Sequence, residues 1–153
     1  MTTTLGERVF VDTNVLLTAL DRGRQYHLQA FRVLNELPNQ GVRLCVSGQV
    51  LRELLAVSTR PPAANGLGLT LSDAIENARA ILDRCSFLEE TREVHKCLLA
   101  VLSDAGATGK QVHDANLVAT MTAHGVTTLI TDNPGHFARY SAVQVVPLDS
   151  ICP

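Results

Sequence analysis

Four acidic residues occupy positions from which they could act together. Asp12 ends the apolar run Arg8–Val11, and Asp132 follows the apolar run Val126–Ile130. Glu53 lies about two turns into a helical pattern that follows Val42–Val46, and Asp114 stands near the start of the pattern before Val126. Carboxylate oxygens are the ligands that Mg²⁺ and Mn²⁺ prefer, and Mg²⁺ keeps several waters while one or two carboxylates hold it. A bound divalent ion lowers the pKa of its water and neutralises charge developing on a phosphodiester. Gathered in one place, Asp12, Glu53, Asp114 and Asp132 could therefore support metal-assisted hydrolysis. No Cys–His or Ser–His–Asp arrangement competes for that role.

Each acid also has a plainer reading. Asp12 could cap the helix that follows, although Asn14 is as good a cap and would leave Asp12 spare. Glu53 could be a solvated helix charge or the partner of Arg52, yet it borders inward-facing leucines, where an unpaired carboxylate is costly. Asp114 near a helix N-terminus gains from the macrodipole. Asp132 sits in an Asp-Asn-Pro-Gly turn, where Asp is common.

The elements that must position these acids can be read from patterning. Short strands are expected at Arg8–Val11, Val42–Val46, Ser86–Leu88, Val126–Ile130 and Val143–Val146. Helices are expected at about 14–20, 26–37, 49–58, 72–84, 90–102 and 110–124. Leu28, Phe31, Val33, Leu34 and Leu37 form the apolar side of the second helix, which Pro38 ends. Leu51, Leu54 and Leu55 face inward in the third. Ser47 and then Ser72 or Asp73 are expected N-caps, and Gly125 is the expected close of the last helix. The Pro/Gly-rich stretch Thr59–Thr70 reads as a mobile loop, a gate beside the cleft. Thr131–Gly135 reads as a turn. Strands that are short, continuously apolar and alternate with helices indicate an α/β fold with a mostly parallel sheet covered on both faces. In such sheets ligands bind beyond the carboxyl ends of the strands. Asp12, Glu53 and Asp114 are therefore expected to converge on one pocket at that edge.

Composition sets outer limits. The chain has 153 residues, 46% of them hydrophobic, which suits one domain with a buried core. With 4% aromatics and no Trp, the core must be aliphatic. Thirteen Lys and Arg against fifteen Asp and Glu give a net charge of −2, so polyanion contact must be local. Lys110, one turn before Asp114, together with Arg22, Arg24 and Arg60, are candidate contacts for a nucleic-acid backbone. His113 faces away from Asp114 along the helix and reads as an edge residue. Cys45, Cys85, Cys97 and Cys152 lack metal-knuckle spacing and read as structural thiols, which fits a reducing, cytoplasmic setting. The N-terminal MTTTLGERVF lacks a signal-peptide pattern, and no apolar run is long enough to span a membrane.

The segments Val11–Leu17 (VDTNVLL), Arg52–Leu55 (RELL), His113–Thr120 (HDANLVAT) and Leu129–Phe137 (LITDNPGHF) occur in the order of the motifs of the PIN domain family. They most resemble VapC-type toxin ribonucleases of bacterial toxin–antitoxin pairs, over about residues 8–148. The resemblance implies a three-layer α/β/α sandwich and a metal-dependent endoribonuclease using Mg²⁺ or Mn²⁺. It makes Asp12, Glu53 and Asp114 the core acids and metal ligands. The family's fourth acid falls two residues after a Ser or Thr. Counted from Thr131, that position is Asn133, with Asp132 one residue early; either Asn133 supplies a neutral oxygen or Asp132 swings in. Thr131 would steady the turn or a water, and Asn14 would brace Asp12 and Asp114. The resemblance also implies a homodimer and a cognate antitoxin whose tail blocks the pocket with a basic side chain.

Two other classes compete. A haloacid-dehalogenase-type phosphatase also begins with Asp after its first strand, but it needs a second Asp at position 14, where this chain has Asn. A non-catalytic PIN module would bind RNA or a partner without cutting, and the intact acid set argues against it.

Overall fold

A computed structural model describes residues 5–153; the first four residues, part of the stretch read as lacking a leader, lie outside it. Five strands form one sheet: β1 (Arg8–Val11), β2 (Arg43–Ser47), β3 (Ser86–Leu88), β4 (Thr128–Thr131) and β5 (Gln144–Pro147). Their spatial order is β3-β2-β1-β4-β5, and every neighbouring pair is parallel rather than mostly so. Parallel strands need crossovers, which six helices supply: α1 (Thr13–Leu20), α2 (His27–Asn35), α3 (Gly48–Thr59), α4 (Leu71–Arg84), α5 (Arg92–Ala105) and α6 (Gln111–Ala123). The chain steps outward from β1 to β3 through α1–α4, then returns to β4 through α5 and α6. Right-handed crossovers in opposite directions place these two helix sets on opposite faces. Packing agrees: α1 touches α2 and α3, α3 touches α4, and α5 lies along α6.

The central strands explain the core. Val9, Phe10, Val11, Leu44, Cys45, Val46, Leu129 and Ile130 are buried on both faces, as a doubly covered sheet requires. Phe137 and Leu148, from the short 3₁₀ turns Pro134–Phe137 and Leu148–Ser150, add to it.

Several local expectations are corrected. The second helix is shorter than 26–37, because Tyr26 sits at φ 65 and ends the chain's approach to it. Its buried positions are Ala30, Val33 and Leu34, while Leu28 and Phe31 point outward at 62% and 49% exposure. Thr70, not Ser72 or Asp73, caps α4 by accepting from the Asp73 amide, and Thr91 caps α5 by accepting from the Val94 amide, so that helix runs Arg92–Ala105 and not 90–102. Ser47 stands at the N-cap of α3, but its hydroxyl is buried without a partner. Lys110 precedes α6 rather than opening it. At the other end of that helix Gly125 takes φ 69, and the amides of Gly125 and Val126 donate to Thr122 and Met121, a Schellman closure. Strand β4 extends through Thr131, so the turn begins at Asp132. The four cysteines are free; Cys45 is buried and Cys85 and Cys97 half-buried, but Cys152 is exposed.

The Pro/Gly stretch is not a free loop. The amides of Leu67, Gly68 and Leu69 donate to the carbonyls of Val57, Arg60 and Ser58, and Gly66 donates to Pro61. A Cβ at Gly66 would collide with the backbone of Arg60, so that glycine serves close packing. Arg60 lies seven residues beyond Glu53, about 10 Å farther along the axis at 1.5 Å per residue, so the loop closes the far end of α3 instead of gating the acids.

Candidate active site

Parallel strands that all end at one edge force the next helices to start there and the preceding helices to arrive from there. Asp12 follows the last residue of β1. Glu53 is the sixth residue of α3, which leaves the adjacent strand β2. Asp114 lies in the first turn of α6, whose N-terminus is at the same edge because the helix runs back to start β4. All three thus lie toward one sheet edge, near enough for their charges to act on one another.

Asp12 is held by more groups than a spare residue would be. It is the N-cap of α1, with Oδ1 accepting from the Thr13 amide at 2.8 Å. Its Oδ2 accepts from Thr131 Oγ1 at 2.8 Å and from Asn14 Nδ2 at 3.3 Å. The expectation that Asn14 does the capping is therefore corrected: Asn14 lies inside α1 and braces Asp12 from the side. Its Oδ1 accepts from the Asp132 amide at 3.1 Å, and it makes no hydrogen bond to Asp114. Thr131 Oγ1 also accepts from the Asn133 amide at 3.1 Å, so this one hydroxyl joins the turn to Asp12.

Glu53 is fixed from two sides. Thr13 Oγ1 donates to its Oε2 at 2.8 Å, and Gln49 Nε2 donates to its Oε1 at 3.0 Å. Gln49 is buried, and the same nitrogen donates to the carbonyl of His113 at 2.9 Å. One amide thereby ties the α3 carboxylate to the backbone just before Asp114. Behind it, Asn116 Nδ2 donates to Gln49 Oε1 at 2.8 Å and to Glu90 Oε1 at 2.6 Å, and Arg52 lies 3.6 Å from Glu90. Arg52 thus pairs with Glu90 rather than with Glu53.

These contacts have electrostatic consequences. Burial pushes the Asp12 carboxyl up from its usual 3.8 to about 6; the bonds from Thr131 and Thr13 oppose this, and the charges of Glu53 and Asp114 add to it. Burial also raises Asp114, with Glu53 adding to the rise and His136, His113 and Arg139 opposing it. His136 Nδ1 is 3.8 Å from Asp114 Oδ2. A pocket in which carboxylates raise one another's pKa is stabilised by a cation.

The fourth acid stands apart. The carboxyl of Asp132 is raised by burial and by Asp149 and lowered by Arg24, so its electrostatic neighbours are not those of the other three acids. Asn133 is exposed. Arg24 therefore lies at the margin of the site, held 3.5 Å from Asp21, whereas Arg22 and Arg60 are exposed and make no ion pair among the described residues. Lys110 is exposed at the mouth of a cleft that includes Asp114.

The oxygen-only donor set and the raised Asp12 suit a hard divalent cation. Among the described residues no three His, Cys, Asp or Glu side chains stand close enough to enclose an ion. One or two carboxylates completed by waters is the arrangement that Mg²⁺ tolerates best.

Sequence reasoning missed Thr13, Gln49, Asn116, Glu90, His136 and Arg139. Gln49 and Glu53 share a helix face at i, i+4, a signal that could have been read. The Gln49–Asn116 and Asn116–Glu90 contacts span 67 and 26 residues and carry no local signature.

The PIN domain profile matches residues 9–143. No curated protein sequence matches the chain. Among solved structures, VapBC2 of Rickettsia felis bound to a promoter DNA fragment superposes with TM-score 0.68 at 18% identity, covering 92% of this chain and 98% of that one. VapBC-1 of nontypeable Haemophilus influenzae gives TM-score 0.65 at 20% identity, covering 93% and 98%. VapC20 of Mycobacterium tuberculosis, described as a toxin that cleaves the sarcin–ricin loop, gives 0.59 at 19% identity, covering 79% and 86%. At these identities the likeness is one of fold.

Proposed function

The chain belongs to the PIN domain family, and from that premise we propose that it is a divalent-metal-dependent endoribonuclease, the toxin of a toxin–antitoxin pair. The nuclease reading is supported by the placement of Asp12, Glu53 and Asp114 toward one sheet edge, where burial and the charges of Glu53 and Asp114 raise Asp12 to about 6. Asp12 and Asp114 are the ligands proposed for Mg²⁺ or Mn²⁺, with Glu53 beside them. When bound, the ion supplies an activated water and offsets charge on the phosphodiester. The chain's own residues do the positioning. Thr131, Asn14 and the Thr13 amide aim Asp12, while Thr13 and Gln49 aim Glu53. Asn133 is the nearer fit to the family's fourth position by count, and Asp132 in this conformation faces Arg24 and Asp149. Lys110, Arg24, Arg22 and Arg60 remain proposed backbone contacts, the first two being nearest the acids.

The toxin reading is supported by neighbours of the same fold that were solved as VapBC complexes. A cognate antitoxin, a homodimer and a cytoplasmic setting belong to that reading. No described helix is long and apolar enough to cross a membrane. The phosphatase alternative needs an acid at position 14, and Asn14 is instead engaged with Asp12, Thr131 and the Asp132 amide.

Incubating the purified chain with structured and unstructured RNAs, with Mn²⁺ or with EDTA, tests the activity. Cleavage with Mn²⁺ that Glu53→Gln abolishes is the expected result; an inert wild-type protein would overturn it. Induced expression should arrest growth, and co-expression of a cognate antitoxin should relieve the arrest.

A further inference from the structure

The three acids account for only one side of Asp114. On its other side lies a cleft of about 360 Å³, lined by Lys110, Gln111, Asp114, Gly135, His136 and Arg139. That volume falls within the ~300–1,000 Å³ of sites that hold small ligands. Neither Asp12 nor Glu53 borders it. The cleft joins two elements distant in sequence, the start of α6 and the turn after β4.

Its charge is opposite to that of the acidic pocket. Lys110 and Arg139 are always cationic at neutral pH, against the single carboxylate of Asp114, in a chain whose net charge is −2. Arg139 is held in place: its Nη1 donates to Gln111 Oε1 at 2.9 Å, and that oxygen also accepts from the Thr108 amide at 3.0 Å. The Arg139 fork is thus presented on a side chain that is itself anchored, which favours planar anion recognition. His136 adds a ring whose Nδ1 lies 3.8 Å from Asp114 Oδ2. A Cβ at Gly135 would meet nothing within 4 Å, so that side of the cleft is open.

We infer that this cleft is a phosphate subsite: Lys110, Arg139 and His136 hold a backbone phosphodiester of the RNA strand next to the one that lies at the acids. The inference rests on the nuclease reading and goes beyond it by giving the strand a direction, from the acidic pocket across Asp114 into the cationic cleft. Lys110 was expected to touch substrate from its spacing alone; Arg139 and His136 join it only through the fold. A phosphodiester fits better than an acidic peptide because donors on both walls of a short cleft match a tetrahedral oxyanion.

The test is binding without catalysis. Fluorescence anisotropy in EDTA measures affinity for a labelled single-stranded RNA over a range of salt concentrations. The variants are Lys110→Gln/Arg139→Gln, the charge-keeping Lys110→Arg/Arg139→Lys, and Arg79→Gln/Arg92→Gln on the exposed surface of α4 and α5. Each phosphate contact on a single strand contributes about 0.7 to the slope of log K against log salt, so the first variant, which empties a site for one phosphate, should lower that slope by about 0.7 and weaken binding of all sequences alike. The charge-keeping variant should restore the slope, and the surface variant should leave it unchanged. DNA of the same sequence should lose affinity in parallel, since the contact is to phosphate. Calorimetric Mn²⁺ binding should be the same in all four proteins. An unchanged slope in the first variant, an equal loss in the surface variant, or a loss confined to a polyglutamate probe would overturn the subsite. Because wild-type RNA cleavage is read separately with Mn²⁺, failure of the subsite and failure of the nuclease reading give different results.

Discussion

Asp12→Asn should make the metal-free protein more stable at pH 8 and leave it no more stable at pH 4.5. The native carboxyl titrates near 6 against its usual 3.8, which corresponds to about 3 kcal/mol. The sign follows from proton binding. Between 3.8 and 6 the unfolded chain releases this proton while the native chain retains it, so stability falls as pH rises. At pH 4.5, low in that window, the native carboxyl is protonated and only about 1 kcal/mol of the penalty has developed. Above the window the full penalty is present, and a neutral side chain removes it. The gain is smaller than the penalty. An amide keeps the oxygen that accepts from the Thr13 amide, but its NH₂ replaces Oδ2, which accepts from Thr131 and Asn14. Thr131 can turn its hydroxyl to accept; Asn14 then faces a second donor at a cost of roughly 1 kcal/mol. A net gain of about 1–2 kcal/mol remains at pH 8, or roughly 3–6 °C in Tm for a domain of this size. Differential scanning calorimetry at the two pH values in EDTA reads it. Added Mn²⁺ should raise Tm in the wild type, by about 2.7 kcal/mol of stability at 100 times Kd, and much less in the variant. A variant less stable than wild type at pH 8 in EDTA would show that Asp12 is mainly a helix cap and refute the electrostatic argument.

Three further outcomes are expected. Asp114→Asn should abolish RNA cleavage, melt at or above the wild-type temperature in EDTA, and shrink the Tm gain from Mn²⁺; retained activity with a lower melting point would mark Asp114 as a helix-terminal stabiliser. Gln49→Leu should lower kcat by roughly ten- to a hundredfold through a loosened Glu53, with Gln49→Glu unable to restore it because the donor is lost; wild-type kcat in both would remove Gln49 from the site. Gly66→Ala should cost about 1–3 kcal/mol through overpacking against Arg60 and speed hydrogen exchange at Leu67, Gly68 and Leu69, whose hydrogen-bonded amides should exchange slowly in the wild type; fast exchange there in both proteins would return the segment to a mobile loop.

The fold was largely legible because its strongest signals are local. Runs such as Arg8–Val11 and Val42–Val46 are short and, apart from Arg8 and Arg43, apolar without alternation, as covered parallel strands are, and the edge rule then put Asp12, Glu53 and Asp114 toward one edge. Legibility failed where two physical terms of similar size compete. In α2 the periodicity puts Leu28 and Phe31 on the inner face with Val33 and Leu34, but the packing of α1 on α2 buries Val33 and Leu34 together with Ala30 and leaves Leu28 and Phe31 outside. Pro and Gly between Thr59 and Thr70 signal a turn, yet they cannot tell a loose segment from one in which Gly66 permits close packing. Asp12 was read as spare because capping and ligation were treated as alternatives, whereas its two oxygens do separate work: Oδ1 caps and Oδ2 meets Thr131 and Asn14. The Thr13, Gln49, Asn116 and Glu90 chain was out of reach because it exists only after four elements have packed.

The central claim is that a water held by these acids, with a divalent ion, cuts the RNA strand. End-group analysis of the products tests it most directly. Attack by water predicts cleavage that requires Mg²⁺ or Mn²⁺, is absent in EDTA and in Asp12→Asn, and leaves no 2′,3′-cyclic phosphate. Cleavage that persists in EDTA and yields 2′,3′-cyclic phosphate ends would mean that the substrate's own 2′-hydroxyl is the nucleophile, and the acidic pocket would not be the centre of the reaction.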